Sequence, residues 1–181
     1  MYKQLINKLK SKGIEFEIGL SNDEIKRIEE IFNIEFPKEL KELYKIALPI
    51  SKGFYNWRNF NDENIKFIKE AIKRPIKDIY ELADGVYWCE KWGEEPNNEL
   101  EKVEIIRSLL KKAPKLIPIY AHRYMPQVNR INTPIFSIHD TDIICYGENL
   151  TSYLEIEFGT EKQIDIDYEK ITYIPFWSDL L

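Results

Sequence analysis

Residues 135–147, IFSIHDTDIICYG, decide the fold. Residues 135–139 and 142–146 are two short runs rich in isoleucine and aromatic residues, and only Asp140 and Thr141 separate them. Runs of this length and composition are typical of β-strands, and a two-residue connection is the commonest way to join antiparallel strands. The stretch therefore predicts a β-hairpin, which Gly147 ends. Residues 116–120 have the same character and predict a third strand.

Segments with helical periodicity precede these strands. We predict helices from Tyr2 to near Gly13, from Ser21 to Phe32, from Pro37 to Pro49, from Asp62 to Leu82 and from Glu99 to Ala113, with a brief strand at residues 16–18. Ser21 and Glu24 have the spacing of a capping box, and Pro37 suits the first position of a helix. Pro75 should break or kink its helix near Arg74, because proline lacks the N–H that an inner turn needs.

The order of the elements predicts an α+β fold: a central, mostly antiparallel sheet with helices packed on it, the N-terminal helices preceding the sheet. Asn149 is expected either to cap a short helix through Phe158 or to lie in a strand. The apolar and aromatic residues 171–181 are expected to pack onto the body of the domain.

Composition limits the possible function classes. The chain has 181 residues, of which 44% are hydrophobic and 13% aromatic, so one well-packed domain is expected. Its net charge is −5, so the whole chain has no basic footprint for nucleic acid. No segment resembles a signal peptide or a membrane span. We therefore predict a cytoplasmic monomer or homodimer with reduced cysteines that binds neither nucleic acid nor membranes.

Common catalytic and nucleotide-binding motifs are absent from the sequence, and we predict neither an enzyme nor a cofactor. One alternative is a small metal-dependent hydrolase in which His122 and His139 join Asp142 and Glu148. The other interpretation is that each imidazole bonds to nearby backbone. Strand alternation favours the second interpretation, because it points His139 away from its acidic neighbours.

Two surface segments are the candidate contacts for a protein partner. The first contains Glu90, Trp92, Glu94 and Glu95, which combine an aromatic anchor with carboxylates that would attract a basic partner. The second is the string that begins with His122 and Arg123. For Trp92 ordinary packing is the alternative, and for Arg123 the alternative is an ion pair with an internal carboxylate such as Asp142.

Several landmarks together resemble the SUKH superfamily, the group of Smi/Knr-type domains. They are Gly19-Leu20-Ser21, residues 34–43 (IEFPKELKEL), residues 116–120 with His122-Arg123-Tyr124, residues 134–139, residues 141–144, residues 146–150 and residues 174–178. Their order matches the family and they span nearly the whole chain. Residues 54–112 are longer and more helical than a minimal member requires.

The resemblance implies a single Smi/Knr-type domain over residues 1–181, with residues 54–112 as a family-variable helical insertion. For bacterial members it implies immunity proteins that bind and neutralise cognate polymorphic toxins, often nucleases; the yeast member is a cell-wall regulator that works through protein contacts. No catalytic residues belong to the family. An immunity protein is therefore the leading expectation, and a general interaction or regulatory scaffold of the same fold is the alternative.

Overall fold

The computed structural model describes residues 2–159 and 161–181. In chain order, its regular elements are α1 (Tyr2–Ser11), β1 (Phe16–Ile18), α2 (Asn22–Phe32), α3 (Lys38–Ile46), β2 (Ala47–Pro49), α4 (Asp62–Glu81), α5 (Glu99–Leu110), β3 (Leu116–Tyr120), β4 (Arg123–Pro126), β5 (Ile135–His139), β6 (Asp142–Gly147) and α6 (Leu150–Phe158). The fold is α+β, as predicted.

A four-stranded antiparallel meander forms the main sheet, in the order β3-β4-β5-β6. The predicted hairpin is confirmed, with His139 opposite Asp142 and Asp140 at φ 54° in the turn. Strand β4 was not predicted. It is four residues long, begins with Arg123 and ends at Pro126, so it lacks the apolar run that identifies a strand in sequence.

Both faces of this sheet are apolar. Side chains that alternate along the strands divide into two buried clusters. The first cluster contains Ile117, Ile119, Met125 and Ile135, and the second contains Leu116, Tyr124, Phe136, Ile138 and Ile143. Antiparallel sheets often leave one face in water, but here each face needs a cover.

The N-terminal helices and α6 cover the first face, around Trp57. The Trp57 ring is fully buried and packs edge-on against Phe32 and Phe36, with ring centroids 5.4 and 5.0 Å away. Because Trp57 lies at the start of the segment 54–112, that segment is part of the core of the domain.

The second face is covered by the C-terminal half of α4, by α5 and by the end of the chain. Trp177 is fully buried there, and its Nε1 donates to the carbonyl of Pro114 at 2.8 Å. The expectation that residues 171–181 pack onto the domain is confirmed.

Helix α4 runs unbroken through Pro75, so the predicted break near Arg74 is wrong. Its buried residues are Ile68, Ala71, Pro75 and Ile79, which form one apolar stripe. The two ends of the stripe join different clusters, because Ile68 belongs to the first and Ile79 to the second. Packing along the whole stripe offsets the hydrogen bond that a proline removes from a helix.

Two local predictions change at the ends of α3, and the capping alternative for Asn149 is confirmed. Pro37 is the N-cap of α3, not its first residue, and the helix ends at Ile46. Ala47 pairs with Ile18 in a small antiparallel sheet, because three residues of β2 continue directly from the helix. Asn149 does cap a helix: its side chain accepts hydrogen bonds from the backbone N–H groups of Thr151 and Ser152.

Gly19 lies where the backbone crosses closest to α3. A Cβ atom at this position would overlap the backbone carbonyl of Lys45. The guanidinium of Arg58 holds the same crossing, since it donates to the carbonyls of Ile18 and Gly19 at 2.8 and 2.9 Å and to Glu24 at 2.7 Å. The backbone of Lys45 and Ile46 leaves no room for a methyl group at Gly19.

We expect Gly19→Ala to lower the free energy of unfolding by about 2–3 kcal/mol, because the added methyl must displace backbone. Gly85→Ala is the matched control, since a Cβ there meets nothing within 4 Å. It should change stability by less than about 0.5 kcal/mol. Urea denaturation followed by circular dichroism measures both; equal stability of the two variants would contradict the close crossing.

Candidate functional site

Both two-residue turns of the meander lie at the same end of the sheet, because alternate connections of an antiparallel meander share an end. They place His122 and His139 side by side, with ring centroids 6.3 Å apart and ring planes nearly perpendicular. The backbone N–H of Ile138 donates to the carbonyl of His122 at 3.0 Å. We call this region the turn end of the sheet.

The segment that follows α4 lies against the turn end. Tyr87, Trp88, Thr141 and the last residues of the chain line a surface cleft of about 330 Å³. The cleft brings Trp88, just before the first group of predicted contacts, next to the hairpin turn at Thr141; none of the predicted contacts lines the cleft.

Trp92 is a structural residue of this segment, which favours the packing interpretation over an exposed anchor. Its Nε1 donates to Oδ2 of Asp179 at 2.9 Å, and its ring stacks on Phe176 with centroids 5.9 Å apart. The Trp88 ring packs edge-on against Trp92, and its Nε1 donates to the Gly93 carbonyl at 2.9 Å.

Asp179 fixes the segment to the C-terminal residues. Its side chain is only 5% exposed, and it accepts hydrogen bonds from Trp92, from the Tyr173 hydroxyl at 2.8 Å and from the Phe176 N–H at 3.2 Å. Lys91 approaches its other side at 3.9 Å. Three neutral donors and a cation thus share one carboxylate.

Carboxylates cover the outer side of the same region. Residues 81–104, which we call the acidic segment, contain eight carboxylates and two lysines, a net charge of −6, so the rest of the chain carries +1 of the total of −5. All eight carboxylates are exposed. Among the predicted contacts, Glu95 pairs with Lys102 at 2.7 Å, while Glu90 and Glu94 face solvent.

Exposed apolar residues lie among these charges. The Tyr87 side chain is 92% exposed and Leu100, on the outer face of α5, is 76% exposed. Both lie within the acidic segment, whose inner residues Ala83 and Val86 are buried in the second cluster. The sequence analysis did not single out Tyr87 or Asp179; the concentration of carboxylates around Tyr87 is the signal that marks its surroundings.

The guanidinium of Arg123 is engaged inside the domain. Its Nε donates to Glu157 at 3.2 Å, its Nη1 donates to Ser137 at 2.9 Å, and its plane lies 4.0 Å from the centroid of the Tyr146 ring. Its side chain is 11% exposed. The internal ion pair considered in sequence does form, but with Glu157 on α6, because strand alternation turns Arg123 toward the first face.

The proposed hydrolase group does not come together. Glu148 follows β6 and Asp142 begins it, so roughly 20 Å of strand separates them. Glu148 accepts a hydrogen bond from the Asp167 N–H at 2.7 Å. Within residues 2–159 and 161–181, no group of three or more His, Cys, Asp or Glu side chains is placed to hold a metal ion.

The two cysteines are both free. Burial raises the pKa of the Cys145 thiol, and its Sγ lies 3.4 Å from the Gly147 carbonyl. A raised pKa makes a thiol less nucleophilic at neutral pH, because the thiolate is the reactive form. None of the helices in the described part of the chain combines the length and apolar character that a bilayer crossing requires.

Compared with known proteins, the chain matches no family model, and no curated protein and no solved structure is significantly similar to it. The likeness to the SUKH superfamily stays a resemblance. Function has to be argued from the surface itself.

We expect Asp179→Ala to lower the free energy of unfolding by about 2–3 kcal/mol, because it leaves buried donors without an acceptor. Tyr173→Phe removes one of these hydrogen bonds and should lose only about 1 kcal/mol. Asp179→Ala should also shift tryptophan emission to longer wavelength as Trp92 loosens. If Asp179→Ala is no less stable than Tyr173→Phe, Asp179 does not hold the segment.

Proposed function

We propose that this chain is a non-enzymatic, cytoplasmic protein-binding domain that acts as an immunity protein. In this role it binds a cognate bacterial polymorphic toxin and blocks it. A toxin with a basic nuclease domain is the leading candidate, and neither nucleic acid nor a membrane is a direct partner. The proposal draws on the resemblance to SUKH proteins and on the surface described above.

The observation that carries the proposal is the segregation of charge onto one firmly packed segment. The whole acidic excess of the chain lies on residues 81–104, while the inner residues of that segment are built into the core. A surface fixed by the partly buried Trp88 and Trp92 loses little conformational entropy when a partner binds, which favours affinity. Carboxylates around the exposed Tyr87 suit a partner that is basic and has an apolar pocket.

Charge of this kind acts mainly on the rate of association. A net charge of −6 on one segment attracts a basic protein over about a Debye length and accelerates encounter, whereas contacts such as that of Tyr87 govern dissociation. A toxin released inside its producer must be captured quickly. Electrostatic steering therefore suits an inhibitor that works by stoichiometric binding.

The test uses the gene next to that of this chain. Where the neighbour encodes a large modular secreted protein, its C-terminal domain is produced in cells with and without this chain. The proposal predicts that growth is restored and that the two proteins elute as a complex. A complex without rescue of growth would indicate the general regulatory scaffold, and turnover of a small substrate by this chain alone would contradict a binding role.

Charge reversal gives a sharper prediction. Glu94→Lys with Glu104→Lys changes the acidic segment from −6 to −2 and should slow association with the toxin domain about tenfold at low salt, with little change in dissociation. Stopped-flow fluorescence at two ionic strengths measures both rates.

The matched control reverses two exposed glutamates elsewhere. Glu30→Lys with Glu70→Lys produces the same net charge, and these side chains make only loose ion pairs, at 4.0 and 3.9 Å. This variant should associate within about twofold of the wild type, because steering depends on the local field. Equal slowing in both variants would show that total charge, not the acidic segment, guides the partner.

A further inference from the structure

We propose that His122 and His139 form a binding site for a divalent transition-metal ion, with Zn²⁺ as the type ion. The site lies at the turn end of the sheet and does not depend on the proposed function. It is a two-histidine site completed by water, with the carboxylate of Asp140 beside the His139 ring as an outer partner.

The separation of the two rings suits one shared ion. Zinc binds imidazole nitrogen at about 2.0–2.1 Å, so two rings on one tetrahedral zinc have centroids about 5 Å apart, and about 6.4 Å apart when the nitrogens lie on opposite sides. The observed 6.3 Å is longer than the tetrahedral value by about 1 Å, so the rings must approach by that amount to share one ion. A small rotation of the side chains closes the remaining gap, and the His139 side chain is free to rotate because it is 77% exposed.

The backbone, in contrast, is fixed at both positions. His139 is the last residue of β5 and is paired in register with Asp142, while His122 accepts the hydrogen bond from Ile138. The two residues therefore emerge from adjacent strands at a constant separation. A metal ion binds such a pair without having to order the chain first, which lowers the entropy that binding must overcome.

The charges around the pair suit a cation. Asp140 Oδ2 lies 3.4 Å from Nδ1 of His139, and Asp78 on α4 is close enough that Asp140 contributes to raising its pKa, after the larger effect of burial. The neighbouring cation, Arg123, is paired with Glu157. Arg74 and Lys77 lie on the same helix as Asp78 and act on it in the opposite direction, so Asp140 is the carboxylate directly beside the pair.

The imidazoles must be neutral to bind a metal. Burial, followed by the charges of Arg123 and His139, lowers the pKa of His122. His122 therefore offers a free nitrogen at neutral pH. Protonated imidazole does not bind a metal, so the affinity for Zn²⁺ should fall as the pH is lowered.

The experiment titrates the purified chain with ZnCl₂ at pH 7.5 by isothermal calorimetry. Histidine ring nitrogens are followed in parallel by ¹⁵N NMR. The proposal predicts one Zn²⁺ per chain and shifts of both rings in the same titration. His122→Asn and His139→Asn should each weaken zinc binding at least about tenfold, because each removes a direct ligand. Loss of a residue that only hydrogen-bonds to a ligand already lowers metal affinity by about that factor. Asp140→Asn should have a smaller effect.

The control removes surface carboxylates that could bind zinc nonspecifically. The double substitution Glu94→Gln with Glu104→Gln changes the acidic segment and should leave the affinity for Zn²⁺ within about twofold of the wild type. Amide spectra of each variant confirm that it folds. Absence of one-to-one binding by the wild type, or binding that survives either histidine substitution, overturns the proposal. None of these outcomes bears on capture of a toxin, which is measured separately.

Discussion

The side chains of Leu116, Tyr124 and Phe136 lie on the sheet face opposite the N-terminal helices. Because this second face is apolar, other parts of the chain must cover it, and their arrangement follows from that need. Each Å² of apolar surface left in water costs the folded state about 25 cal/mol of stabilising free energy. The N-terminal helices cover only one face of the sheet. The other requires α4 to extend past the sheet edge, α5 to fold back, and the C-terminal Trp177 to close the layer.

This constraint links stability to the binding surface. The chain that covers the second face exposes its other side to solvent, and the carboxylates of the acidic segment lie on that exposed side. Ala83 and Val86 are buried in the core, while Tyr87 and Glu104 of the same segment are exposed. Because burial fixes the backbone, the exposed charges are held in a constant arrangement. A surface of this kind is organised before its partner arrives, which is the property that a stoichiometric inhibitor needs.

The sequence predicted the elements whose signals are local. The hairpin at residues 135–147, the capping box at Ser21 and the helix order follow from spacing and turn chemistry alone. Predictions failed where distant residues decide the outcome. Pro75 stays within a helix because both ends of its stripe are buried, and β4 forms because strands on either side supply its hydrogen bonds.

The candidate site was predictable to the same extent. Sequence located the two surface segments, but it could not show that Trp92 is held by Asp179, 87 residues away. It also could not show which carboxylate binds Arg123, since Glu157 meets it only once α6 packs on the sheet. The proximity of His122 and His139 depends on an unpredicted strand. Long-range contacts of this kind have no signature in a single sequence.

The binding surface proposed above requires that the acidic segment be packed rigidly onto the core and not form a mobile loop. Hydrogen–deuterium exchange measured by mass spectrometry on the free chain tests it directly. We expect amides hydrogen-bonded in α5 and in the turn at Glu90–Trp92 to open with a free energy close to that of the strands, because both layers unfold together. Exchange of these amides within seconds, while the strands stay protected for hours, would contradict it.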